Sequence, residues 1–198
     1  RSSKEMFTPI RIALIAASLV TGCGSVTPAG LVAAMRLDPL ATPPGDITVA
    51  VSVPNTVRLT DGDAQFRLAF TPDDPTRAGS VDTTVPLTLI ENATDAPTPP
   101  DGDAVYVWGF APRDAARVAK AQAQITAARS NGLAGDGSVG VSIEGGCTTV
   151  PLGDTLPVST WLKTGPDTGF VQLTRRTDLL TALPAAERSA LLSKLTRC

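Results

Sequence analysis

The chain has 198 residues, 42% of them hydrophobic and 18% charged, and its 17 Lys plus Arg against 19 Asp plus Glu give a net charge of −2. With no basic excess, nucleic acid is not an expected partner. There is no histidine, which excludes Ser-His-Asp and Cys-His nucleophilic machinery and His-ligated metal sites.

An enzyme of this composition would have to work with carboxylates, lysine, serine or tyrosine. A chain of this length buries roughly 70% of its unfolded surface, enough for a real core. Aromatics are only 4%, so that core must come mainly from Val, Leu, Ile and Ala. The 17 Gly and 17 Pro predict many turns.

Residues 12–20 read IALIAASLV and follow Arg11. Nine apolar or small residues are too few to span a bilayer as a helix. A short apolar run behind a positive charge fits a secretory signal peptide, with Met6 a plausible start. The run ends in Val20-Thr21-Gly22-Cys23. These four residues resemble the lipobox of bacterial lipoproteins: an aliphatic residue, a small one, Gly or Ala, then Cys. The resemblance implies that residues 1–22 are a signal peptide, removed at cleavage. It implies that Cys23 carries a thioether-linked lipid and becomes the acylated amino terminus. Gly24 stands where Asp would retain such a protein at the inner membrane, so the resemblance favours the outer one. Losing Arg1, Lys4, Arg11 and Glu5 would shift the net charge from −2 to −4. A mildly acidic chain stands off an anionic membrane surface.

With the lipid on Cys23, Cys147 and Cys198 remain as an even pair. The oxidising periplasm makes them the expected disulfide. Residues 23–45 read as a lipidated Cys and tether, whose end, Leu31 to Leu40, is apolar enough to dock on the domain. Residues 46–198 read as one α+β domain, with a possible subdivision near the Pro-rich stretch 92–102.

Within the domain, Ile47 to Val53 alternates as a half-buried strand. Asp61-Gly62 predicts a hairpin turn between strands near 57–59 and 66–70. Thr84 to Glu91 reads as one strand, placed by Pro86 at an edge or bulge. Ala104 to Phe110 is apolar on both faces and predicts a central strand. Pro112 to Gly132 is the clearest helix: Pro112 lies in its first turn, Asp114 complements its dipole and Gly132 can end it. Gly-rich residues following it predict a loop, then a strand over 138–146. A hairpin around 165–169 and two short helices close the chain. The expected fold is a mostly antiparallel sheet with the 112–131 helix packed on it and short C-terminal helices. The alternative is a β-sandwich half joined to an α/β half.

Motifs for chemistry are sparse. Asp-Gly-Asp occurs at 61–63 and 101–103 and reads as turn chemistry rather than calcium loops. The Gly-rich stretch 128–141 lacks the Lys and the strand-to-helix order of a phosphate loop. Tyr106, Trp108, Trp161 and Phe170 could line a groove but fit a core equally simply. Glu91 and Glu144 are the candidate pair for a carboxylate hydrolase, with nothing in the sequence to bring them together. No catalytic residue, metal or cofactor is therefore expected. The expected function is a lipid-anchored envelope protein facing the periplasm, with a binding or structural role. Its expected partners are the membrane, through the lipid, and another envelope protein or assembly. The alternative is a small periplasmic hydrolase using carboxylates.

Overall fold

The computed structural model describes residues 40–198. The expected signal peptide, Cys23 and the expected tether before Leu40 lie outside the described residues. The architecture is α+β and mostly antiparallel, with one main helix and short C-terminal helices.

The chain enters through a 3-10 turn, Pro44–Asp46, and forms β1 (Ile47–Pro54), β2 (Val57–Arg58), β3 (Ala64–Pro72), β4 (Val81–Pro86), β5 (Thr88–Leu89) and β6 (Asp103–Gly109). Helix α1 (Pro112–Ser130) follows, then β7 (Gly135–Ile143), β8 (Cys147–Thr148), β9 (Pro157–Thr164) and β10 (Val171–Asp178). The chain closes with α2 (Leu179–Ala182), α3 (Ala185–Lys194) and β11 (Thr196–Arg197). The strands divide into a five-stranded sheet ordered β10-β9-β1-β6-β5 and two three-stranded sheets, β4-β3-β7 and β11-β8-β2.

Strand β1 sits in the middle of the large sheet. It is buried on both faces, not half-buried as its alternation predicts. Val49, Val51 and Val53 point to the main core. Phe66, Leu68 and Phe70 of β3 and Val118, Ala121 and Ile125 of α1 meet them there. Ala50 and Ser52 point the other way and are equally buried. On that face Ala50, Val107 and Trp161 form a second cluster, covered by Ala93, Ala96 and Phe170. The Pro-rich stretch 92–102 thus supplies apolar cover to the outer face of the large sheet, and Lys163 pairs with Asp95 beside it. An alternation reads as half-burial only when one face is left to water. Here small residues on the outer face let a loop lie close.

Three further expectations change. Asp61-Gly62 is a turn, with Gly62 at φ +82°, but it joins no hairpin. Strand β2 pairs with β8, whereas β3 pairs with β4 and β7. Residues 84–91 form two strands rather than one. Pro86 ends β4, and β5 crosses to the large sheet beside β6. The expected Gly-rich loop is also shorter, because β7 begins at Gly135. A Cβ there would lie 2.4 Å from the Thr71 carbonyl oxygen, so glycine permits the close approach of the two strands.

Helix α1 matches its local signals: Pro112 starts it, Asp114 lies in its first turn, and Gly132 follows it at φ +72°. The helix packs on β4. Leu40, the last residue of the apolar stretch 31–40, packs against the main core.

Cys147 and Cys198 form a disulfide, with Cα atoms 5.0 Å apart. It reinforces a small sheet in which β11 runs parallel to β8, pairing Thr196 with Cys147. The closed loop carries both terminal helices. Replacing Cys198 with Ser is expected to lower unfolding stability by about 4 kcal/mol through the freed loop entropy. Urea titrations of the two chains under oxidising conditions measure this, and coincident midpoints would refute it.

Candidate functional site

The inner face of the large sheet is not wholly covered. Strand β1 there contributes Val51, β9 contributes Val158 and Thr160, and β10 contributes Thr174 and Thr177 to the floor of a cleft of about 380 Å³. One wall is the end of β7, Val141 to Glu144. The other is the C-terminal pair of helices, with Leu179 and Leu183 near α2 and Glu187, Ala190, Leu191 and Lys194 on α3. The floor follows from register. Val51 pairs with Thr160, and Thr160 with Thr174, so all three share one face. The Thr160 and Thr174 hydroxyls hydrogen-bond each other at 2.8 Å, which lowers the polarity of the floor.

The α2–α3 wall is held by three devices. Asp178 caps α2, its carboxylate accepting the Leu180 N–H at 3.1 Å and the Leu156 N–H at 2.8 Å. These bonds, that from Leu156 foremost, hold its carboxyl below the usual carboxylate range. Arg188 of α3 donates to the Leu180 carbonyl at 3.2 Å. At the mouth, the Lys194 ammonium donates to Glu144 at 2.7 Å. That hydrogen bond lowers the Glu144 carboxyl in turn. Glu144 is therefore committed as the charged partner of α3.

The residues singled out in the sequence mostly lie elsewhere. Glu91 is exposed beyond β5 and does not line the cleft with Glu144. Tyr106 and Trp108 stack at 5.8 Å between ring centroids, and the Tyr106 hydroxyl donates to the Val57 carbonyl. Trp161 and Phe170 belong to the outer cluster, with Lys163 over the Phe170 ring. The four aromatics therefore pack on opposite faces of the large sheet and make no common groove. Asp61 accepts the Leu89 N–H at 2.5 Å, and Asp63 accepts the Thr60 N–H at 2.7 Å. Asp63 is thus occupied within the turn, while Asp61 reaches across to β5. Among the described residues no cluster of three or more Cys, Asp and Glu is placed to hold a metal. Arg176 reaches Asp103 at 3.2 Å. The cleft itself was not visible in the sequence, since its lining runs from residue 51 to residue 194.

The arrangement is a concave, largely aliphatic surface with a charged pair at its mouth. Its volume lies within the usual range of ligand pockets, and aliphatic residues dominate its lining. Asp178 also makes the wall sensitive to acid. Its folded-state pKa is lowered, so its stabilisation is present at neutral pH and lost as pH falls through and below the ordinary carboxylate value of about 4. The urea midpoint is expected to fall across that range. In Asp178→Asn the fall should be shallower, from a lower starting stability. Parallel pH profiles of the two proteins would disprove the role.

Compared with known proteins, the chain matches no family model, no curated protein and no solved structure.

Proposed function

We propose that this is a lipid-anchored, periplasm-facing envelope protein that binds an aliphatic group in the cleft between β7, β10 and α3. The observation that carries the binding role is the cleft, which opens an aliphatic surface to solvent. Exposed concave apolar surface of this size is kept where something covers it. Its lining combines branched aliphatic side chains with polar ones and includes no aromatic ring, which suits a flexible hydrocarbon better than a flat ring. The Glu144–Lys194 pair at the mouth offers polar contacts to the end left outside.

The lipobox resemblance supports the address: lipid on Cys23, delivery to the envelope, and the outer membrane in preference to the inner. Among the described residues no helix is long and apolar enough to cross a membrane. The disulfide fits the oxidising compartment such delivery would reach. The binding role is preferred to hydrolysis by the Glu91–Glu144 pair because Glu144 is tied to Lys194 and Glu91 lies outside the cleft.

Two measurements test the parts separately. Cys23→Ser should move the protein from the membrane to the soluble fraction; unchanged membrane retention would remove the anchor. Ala190 is exposed on the cleft side of α3, so Ala190→Trp should fill the cleft without disturbing the core. It should abolish fluorescence enhancement of cis-parinaric acid while leaving the melting temperature within about 2 °C of the parent, the shift of a sub-kcal/mol change. Equal enhancement by both proteins would rule out the cleft as the binding site.

A further inference from the structure

The edges of the sheets are unequally protected. Unpaired strand edges recruit other strands unless they are short, bulged, charged or covered. Strands β5, β2 and β11 are two residues long. Strand β10 carries two register breaks and the exposed Arg175 and Arg176. Strand β4 has α1 packed against it, and Arg117 donates to its Thr84 carbonyl at 3.2 Å. Apart from the Arg129 guanidinium close to Gly137, strand β7 has none of these protections among the described residues. It pairs with β3 without a break from Gly135 to Ile143, carries one charged residue, Asp136, and contains no proline.

The direction of its free backbone groups follows from two hydrogen bonds. The Glu144 N–H donates to the Asp63 carbonyl, and the Asp73 N–H donates to the Ala134 carbonyl. Antiparallel pairs alternate between bonded and non-bonded. The even-numbered residues of β7 therefore bond β3, and Gly135, Gly137, Val139, Val141 and Ile143 present N–H and C=O outward. The side chains of Val139 and Val141 share the face of Leu68 and Phe66, toward the core, yet Val139 is 43% exposed. Val141 and Ile143 are half-buried against the core, and among the described residues no strand pairs with the outward edge of β7.

We propose that the neighbour is β7 of a second copy of this chain, paired antiparallel about a twofold axis at Val139. Residue 139 is the midpoint of β7, so this register alone uses the whole strand. It sets Val141 across from Gly137 and Ile143 across from Gly135, large against small. It sets Asp136 across from Ser142, so the one charge of the strand never meets its own copy. It aligns the outward residues with one another, as a bonded ladder requires. The β4-β3-β7 sheets of the two copies become one continuous six-stranded sheet. The ladder and the cleft share Val141, Ser142 and Ile143, so the second copy would lie beside the cleft wall.

Site-directed oxidation tests it on the full chain in its native membrane. Val139→Cys places two sulfurs across the axis, within the Cα separation a disulfide spans. It should yield a dimer band on non-reducing electrophoresis, with the residue 139 to residue 139 link found by peptide mapping. Ser138→Cys should not link to itself, because Gly140 lies across from it. Val139→Lys, which sets two ammonium groups face to face at an exposed position, should halve the particle mass measured by light scattering after detergent is subtracted. A monomeric mass for the parent chain would overturn the proposal. So would equal linking by the two cysteine variants, or a Val139→Lys mass unchanged from a dimeric parent.

Discussion

The packing depends on the double burial of β1. Each valine on its inner face is matched by a small residue on its outer face, so one strand serves two cores. Burying Val49, Val51 and Val53 removes the apolar surface that seats β3 and α1. The near absence of bulk at Ala50 and Ser52 then lets Trp161 and the 92–102 stretch close the other side. A strand with charged or large residues at those positions could not have accepted both covers. The two main sheets meet only through this core, since no strand pairs across them. The space left over beside β1 and β9 is what becomes the cleft.

The C-terminal segment defines that space. Helix α3 reaches the cleft because its far end is tied twice to the β7–β8 region, covalently by Cys147–Cys198 and electrostatically by Lys194–Glu144. An exposed ion pair by itself contributes little. A cross-link over a long loop contributes more, so the disulfide sets the wall and the ion pair trims its mouth. The cleft thus rests on a disulfide, which fits the oxidising compartment that the proposed anchor would imply.

Local signals were legible where the physics is local. Helix α1 needs only its own Pro112, Asp114 and Gly132, and the β9–β10 hairpin needs only the turn at 165–169, with Gly165 at φ +154°. The pairing of the two remaining cysteines also followed from counting. Partner choice between strands was not legible. The turn chemistry at Asp61-Gly62 is real, but its flanking strands go to different sheets, because β2 is captured by β8 and β3 by β7. Pro86 was legible as an edge signal, but not as the point where the chain changes sheets. The cleft was hidden altogether. Val51, Val141 and Leu191 touch a common space only after three separate elements have packed.

The sequence by itself determined the α+β class, the helix, the excluded histidine chemistries, the disulfide pairing and the expectation of a lipid-bearing Cys23. Each of these rests on neighbouring residues or on composition. Only the tertiary structure decided that the described residues form three sheets, that β1 is buried on both faces and that β7, paired with β3, has its other edge free beside an aliphatic cleft. Those features depend on which distant surfaces exclude water together. Hydrophobic alternation says that a face will be buried; it carries no information about the element that buries it, or about the strand edge left over.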